Sequence, residues 1–364
     1  MKERVKRIFK SLKDPLDVIL LANSTEPHID MTFFYVTGIP SGLFEGGVAA
    51  LYPDGGCTIL TSDLEAESAR SAKDCRVEVV RSRDDYKNGV AKMLKGKKTV
   101  GANYRELTHD MYLSLAKLTP KRRLVDVSKA VADARAIKDK IEIERLREAC
   151  RIGSLTAKKI PDMLRAGMTE LELAAEMEYN MGKLGSNGPS FKTIVAFGPH
   201  GAEPHYEPSK FHLKKGMTMV CDFGALYQRY CSDITRSFAF GHPPKEMRVM
   251  HETVENAQRA AFDLIRPGVK ASAVHLAAQE VIDATKWKGL FIHGLGHSLG
   301  LAVHDGSLGL SPRSEAVLEP GMVVTVEPGV YVHGVGGVRI EDDVVVTEKG
   351  FEMLTNAPRG YLEV

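Results

Sequence analysis

Met217-Thr-Met-Val-Cys-Asp222-Phe-Gly-Ala-Leu-Tyr-Gln-Arg-Tyr-Cys-Ser-Asp233-Ile-Thr-Arg-Ser-Phe-Ala-Phe240 is the stretch on which the reading of this chain turns. Met217 to Asp222 reads as a buried strand and Ser232 to Phe240 as its return. Pairing them symmetrically about Tyr227-Gln228 sets Asp222 opposite Asp233. Directly opposed side chains have Cβ atoms ~5 Å apart. Two buried carboxylates at that separation repel, and one is driven to protonate. A divalent cation between them removes the conflict.

The same device recurs downstream. Gly216-Met217 leads to Asp222, and Gly321-Met322 leads at the same interval to Glu327. Each acid passes through a short strand and turn to a second acid, Asp233 or Glu341. Upstream, Leu164-Arg-Ala-Gly167-Met168 is echoed by Ile265-Arg-Pro-Gly268-Val269. The period, about 100 residues, is too long for a solenoid. Two related halves, each helices followed by a hairpin, meeting around one site is the simpler account. A single acid at a strand end is ordinarily solvent-facing, with Arg236 and Arg339 as ion-pair partners here. Four acids in repeat-related pairs reverse that preference.

Between the pairs lies His293-Gly-Leu-Gly-His297-Ser-Leu-Gly300. Its last glycine is one place too far for a dinucleotide fingerprint, and a helix precedes it where a strand is needed. Glycines beside His297 let the backbone approach a metal or substrate closely. His297 with Asp222, Asp233, Glu327 and Glu341 makes a hard, oxygen-rich donor set. It suits Mn²⁺, Co²⁺, Fe²⁺ or Zn²⁺, and not copper or an iron–sulfur cluster. Four carboxylate charges are balanced by two divalent ions, whereas one leaves excess charge buried. The chain has no HExxH or GxxxxGK motif, so the usual zinc and phosphate-loop signatures are excluded. Gly296-His-Ser-Leu-Gly300 has the GxSxG spacing, but a helix precedes it where a serine-nucleophile elbow needs a strand.

The rest of the chain supports two domains, as 364 residues suggest. Residues 1–125 alternate strand-like and helix-prone stretches, which points to an α/β domain. Phe33 to Thr37, closed by Gly38, reads as a strand. Gly47 to Tyr52 and Thr58 to Leu60 read as a hairpin about Pro53-Asp-Gly-Gly56, with further strands at Val77 to Val80 and Thr99 to Gly101. Residues 126–364 form the second domain. Helices are expected from Asp139 to about Leu164, from the capping box Thr169-x-x-Glu172 to about Gly182, from Met247 to Ile265, and from Ser272 to before Gly289.

The net charge of +2 gives no field for nucleic acid or a membrane surface. The basic start (Lys2, Arg4, Lys6, Arg7, Lys10) reads as a solvated helix face. No segment has the ~18 apolar residues of a membrane span. Five cysteines, odd in number and without a CxxC pair, fit reduced thiols in a cytoplasm.

At the metal residues the sequence becomes similar to a known family. Asp222 to Arg236, His293 to Asp305, Val326-Glu-Pro-Gly-Val-Tyr331 and Gly337-Val-Arg-Ile-Glu341-Asp-Asp resemble the ordered motifs of the pita-bread metallopeptidases. Within the family the chain looks most similar to Xaa-Pro dipeptidases (prolidases) and aminopeptidase P, and the likeness extends over residues 1–125. The resemblance implies an α+β, pita-bread catalytic domain with pseudo-two-fold symmetry behind a smaller α/β creatinase-like domain. It implies two divalent ions, Mn²⁺ or Co²⁺ before Fe²⁺ or Zn²⁺. Asp222 and Asp233 would hold one, His297 and Glu327 the other, with Asp233 and Glu341 bridging. It implies attack of a metal-bridging hydroxide on an Xaa-Pro bond, Glu327 carrying the proton. His205 and His304 would act in catalysis and contact the substrate, as would Arg339. A cytoplasmic homodimer acting on small proline-containing peptides is also implied.

Two positions depart from the family pattern. Arg229 stands where the family usually has glycine. The arginine that follows the His304 position in prolidases, where it holds the dipeptide carboxylate, is missing from His304-Asp-Gly-Ser-Leu308; Arg313 lies a few residues on. Cleavage of dipeptides and, in the manner of aminopeptidase P, of longer peptides both stay open. Methionine aminopeptidase is disfavoured by the size of the N-terminal domain. A non-catalytic pita-bread binding protein is a remote reading, since such proteins lose ligands that are all present here.

Overall fold

The computed structural model describes residues 1–120 and 123–364. Two compact units divide the chain, Met1–Arg135 and Ala136–Val364. The division falls beyond the change of pattern at Asp126, because Arg123–Asp126 is the edge strand of the first unit's sheet.

In the first unit, six strands lie in the order Cys75–Val80, Cys57–Ser62, Val48–Leu51, Val18–Ala22, Thr99–Ala102, Arg123–Asp126. The expected hairpin forms, with Leu51 opposite Cys57. Phe33 to Thr37 is not a strand: Met31–Thr37 is a helix. Asp30 accepts the Thr32 amide at its N-terminus, and Gly38, at φ 72°, closes it with its N–H on the Phe34 carbonyl. The run is buried all round and packs its rings on one another, with Phe33 and Phe44 centroids 5.1 Å apart. Such burial overrides the β-preference of aromatic and branched residues.

The second unit repeats one plan twice. The first half has helices Lys140–Met163 and Glu170–Lys183, then strands Ile194–Phe197, Met217–Phe223 and Ile234–Phe240. The second has helices Lys245–Phe262 and Ala271–Asp283, then Gly296–His297, Val323–Val326 and Asp342–Val346. Capping boxes at Asp139/Glu142 and Thr169/Glu172 start the first two helices. The repeat extends to backbone detail. Gly167 and Gly268 share φ +84°, and Gly216 and Gly321 have φ +88° and +89°. Gly167 N–H bonds the Leu213 carbonyl while Leu213 N–H bonds that of Met168; Gly268, Leu318 and Val269 do the same. Each half buries its own apolar cluster, around Met177, Phe197 and Phe223 in one and Val254, Leu295 and Val324 in the other.

The registers differ from expectation in one half. Asp222 faces Thr235, and the small hairpin pairs Tyr227 with Tyr230, so the turn centres on Gln228-Arg229. Asp233 is therefore displaced along the ladder from Asp222. Both turn residues are left-handed, Gln228 at φ 45° and Arg229 at φ 73°, the conformation that two-residue hairpins require. In the other half Val326 pairs with Asp342, and Ile340 N–H reaches the Pro328 carbonyl. That register brings Glu327 opposite Glu341, so direct opposition occurs between the glutamates.

On the Lys245–Phe262 helix, His251 is buried against the Tyr361 ring, 5.3 Å away. Burial, and then the Arg236 charge, lowers its imidazole from 6.5 to about 4. The unfolded chain binds this proton below about pH 6.5, whereas the folded chain resists it until about pH 4. Stability is thus intact above that window and falls through it on acidification, by up to about 3 kcal/mol. Urea unfolding at pH 7.5 and 4.5 should show a smaller acid loss in His251→Phe than in the parent. An equal loss in both would show that His251 does not contribute.

Candidate metal centre and active site

Each half delivers acids to one wall. Asp222 is the next-to-last residue of the strand Met217–Phe223, and Asp233 precedes Ile234–Phe240. Glu327 follows Val323–Val326, and Glu341 lies between Gly336–Arg339 and Asp342–Val346. His297 enters from Gly296–His297, where a Cβ on Gly296 would sit 2.0 Å from the Thr325 carbonyl oxygen. Only glycine permits that approach. His297 N–H then bonds Thr325 Oγ1 at 3.1 Å.

Donor atoms of Asp233, His297 and Glu341 all lie within 4.8 Å of one another. His297 Nε2 is 3.7 Å from Asp233 Oδ2 and 3.5 Å from Glu327 Oε1. These separations exceed hydrogen bonds. Burial, and then His304, lowers His297 to about 4. Its Nδ1 faces the Ser298 carbonyl at 3.4 Å, so the neutral ring offers the Nε2 lone pair to the cluster.

The carboxylates cross-brace the halves. Thr235 Oγ1 donates to Glu341 Oε2 at 2.6 Å, and Asp233 N–H to Asp343 Oδ2 at 2.9 Å. Burial, and then the charges of Glu341 and Asp222, raises Asp233 well above the usual carboxylate range. Burial, and then Glu327 and Asp222, raises Glu341 likewise. Glu327 is pushed up to about 8, mainly by burial. Asp222 Oδ1 and Asp233 Oδ1 are buried without a hydrogen-bond partner. Crowded acids with orphaned acceptor oxygens, beside an imidazole lone pair, fit divalent cations.

Arg339 and Arg236 are both buried but serve different acids. Arg339 Nη2 meets Asp222 Oδ2 at 2.5 Å, with further bonds to Tyr331 Oη, Thr235 Oγ1 and the Pro204 carbonyl. Its guanidinium, expected to contact substrate, is engaged in the wall and also lines the cavity above the cluster. Arg236 pairs with Asp342 at 2.8 Å and donates to the Glu341 backbone carbonyl at 2.6 Å, behind the cluster's carboxylates. Three residues of this region escaped the sequence reading. His293 Nε2 accepts from Tyr331 Oη at 2.9 Å, extending the chain Asp222–Arg339–Tyr331. Asp343 anchors Asp233. All three lie at the ends of the quoted motifs, but only their contacts reveal a role.

The cluster floors a cavity of about 420 Å³ whose apolar walls are Phe191, Ile194, Pro204 and Val303. His205 and His304 line it, both exposed. The His304 ring sits 4.1 Å from that of His297. Partial burial, and then the charge of His205, lowers His304 below its usual value. Arg313 is exposed and does not line the cavity. Among the described residues, no helix is long and apolar enough to cross a membrane.

A fold of two helix-and-hairpin halves closing on paired acids defines a class of metal-dependent hydrolase. Residues 144–348 match the model of metallopeptidase family M24, and residues 3–137 that of the creatinase/prolidase N-terminal domain. The chain belongs to metallopeptidase family M24. It is 33% identical to an Xaa-Pro dipeptidase of Pyrococcus horikoshii, over 99% of this chain and 98% of that one. An uncharacterized peptidase of Bacillus subtilis is 39% identical over 72% of this chain and 74% of its own. The crystal structure of an X-Pro aminopeptidase from Thermotoga maritima superposes with a TM-score of 0.91 at 32% identity, covering 99% of this chain and 100% of that one. The two-domain pita-bread architecture and the metallopeptidase class expected from sequence are thus borne out.

Removing divalent ions from such a wall restores repulsion between buried acids. Chelation should lower the thermal midpoint by several degrees, and Mn²⁺ or Co²⁺ should restore it, because a ligand bound only by the folded state stabilises it. A midpoint unmoved by chelator and by added metal would show that the acids hold no ion.

Proposed function

We propose that this metallopeptidase hydrolyses Xaa-Pro peptide bonds with two divalent ions. Asp222 and Asp233 would hold one ion, His297 and Glu327 the other, with Asp233 and Glu341 shared. The observation that carries this reading is the convergence of Asp233, His297 and Glu341 donor atoms at the floor of the cavity. The names of full-length relatives support the substrate class. Divalent ions bound there would lower the pKa of water towards neutrality and polarise the scissile carbonyl.

The chain's own groups do the rest. Glu327, at the end of its strand, takes the proton of the attacking water and passes it to the leaving nitrogen. A proline amine leaves poorly as an anion, so that proton is needed. His205 and His304 stand at the cavity wall, where they stabilise the oxygen that becomes negative as the carbon turns tetrahedral. Phe191, Ile194 and Val303 offer the apolar surface that a proline ring buries.

A second reading, cleavage of longer peptides with proline second, is favoured by one observation. Arg339 is engaged with Asp222, and Arg313 lies outside the cavity lining. Neither is disposed to hold a dipeptide's terminal carboxylate. Comparing rates on Xaa-Pro and Xaa-Pro-Yaa peptides with Mn²⁺, Co²⁺, Fe²⁺ and Zn²⁺ decides between them. Turnover of neither peptide with any metal would refute the proposed substrate class.

Asp233→Asn should lose bound metal and at least ~10³ in activity, the scale of losing one preorganised electrostatic group. Full activity and metal content in that variant would contradict the ligand assignment. His205→Ala and His304→Ala, assayed with metal confirmed bound, should lower kcat more than they raise KM, the mark of contacts made in the transition state. A raised KM at unchanged kcat would mean that they only hold the substrate.

A further inference from the structure

Outside the acid cluster, the second unit holds a fully buried lysine. Lys138 lies just before the helix Lys140–Met163, and its backbone is pinned: its N–H donates to the Gly321 carbonyl at 2.9 Å, and Ile137 forms a β-bridge with Met322. Its ammonium is 3.1 Å from Ser298 Oγ and 3.8 Å from Asp305 Oδ2. The side chains of Lys138 and Asp305 are 0% and 2% exposed. A charge buried that deeply persists only where it is paired and hydrogen-bonded.

Asp305 in turn closes a loop. Its N–H bonds the Ser298 carbonyl at 2.9 Å, and its Oδ2 accepts the Leu301 N–H at 3.2 Å. A Cβ on Gly300 would lie 1.8 Å from that same oxygen, so only glycine lets the carboxylate in. Gly300 is itself tied by its carbonyl to Cys231 N–H at 2.8 Å. The loop so closed runs from Ser298 to Asp305. His297 precedes it, and His304 sits at its far end, beside the carboxylate that the ammonium faces.

We propose that the Lys138–Asp305 pair is a positioning clasp that holds His304 over the reaction centre, acting through the 298–305 loop and touching neither substrate nor metal. The proposal rests on the role given to His304 above. That end is also held by the Asp305 N–H on the Ser298 carbonyl and by the His297 ring, 4.1 Å from that of His304; the ammonium adds a fixed charge facing the Asp305 carboxylate that closes the loop. The placement of that carboxylate then follows where the ammonium stands, and the Lys138 backbone is tied to Gly321, in the turn before the strand Val323–Val326. Displacing a catalytic group by about 1 Å is enough to cost roughly 100-fold in rate.

The test is a double-mutant cycle with Lys138→Met, Asp305→Asn and the pair combined, alongside His304→Ala. Bound metal and the thermal midpoint are measured for each, and kinetics are run well below the lowest midpoint. Each single variant should lose roughly 10- to 100-fold in kcat, with KM and metal content near those of the parent. The combined variant removes both charges and avoids a lone buried ion, so it folds even where a single variant does not. Its kcat should be no lower than that of the more impaired single variant. Parental kcat in a folded Lys138→Met or combined variant, or losses that multiply, would overturn the clasp. A lower midpoint with parental kcat would make the pair structural only, which also overturns it. Parental kcat in His304→Ala would count against the assigned role of His304 and remove the basis of both ideas; impaired His304→Ala beside unimpaired Lys138→Met would count against the clasp alone.

Discussion

Mutual repulsion among buried carboxylates is the constraint that orders this protein. Asp222, Asp233, Glu327 and Glu341 are placed where none is well solvated, and Asp343 lies just behind them. Burial favours protonation of Asp233, Glu327 and Glu341, and proximity sharpens the conflict. The protein itself supplies one permanent cation to the wall, Arg339, and spends it on Asp222. It supplies neutral donors to the others, Thr235 to Glu341 and Cys150 to Asp343. What is left over is negative charge with orphaned oxygens, which is the description of a cation site.

The duplicated plan explains how one chain assembles such a wall. Glycines of matching conformation, matching backbone exchanges and matching helix pairs show that each half solves the same local problem. The halves then diverge in register. One brings its acids directly opposite, and the other offsets them through a Gln228-Arg229 turn. The offset sends the Asp233 amide to Asp343 of the other half. The departure from symmetry thus adds a link to those that Thr235–Glu341 and Asp222–Arg339 already make between the halves.

Much of this was legible in the residues, for physical reasons. Acids at the ends of apolar strands are conspicuous because a carboxylate does not belong there, and repetition made chance a poor explanation. The helices were readable because 3.6-residue periodicity and capping boxes are local signals. The failures were equally local in cause. Phe33 to Thr37 has strand-like composition, but complete burial erases the alternation that separates strand from helix. The hairpin register depended on which two residues take left-handed conformations, and neither Gln228 nor Arg229 advertises that as glycine does. His293 and Asp343 gain their meaning from partners distant in sequence, Tyr331 and Asp233, and no short window of residues contains those contacts.

The cross-bracing of the halves bears on how the chain is made. Thr235 meets Glu341, and Asp233 meets Asp343, across more than a hundred residues of intervening sequence. On a ribosome that adds roughly 5–20 residues per second, the aspartate hairpin emerges several seconds before its partners exist. For that interval Asp222 has no Arg339, and the Asp233 amide has no Asp343. Both acids must stay hydrated, which keeps the inner face of the first half from sealing. The electrostatics that suit a cation in the finished chain thus oppose burial of these acids before the second half is synthesised.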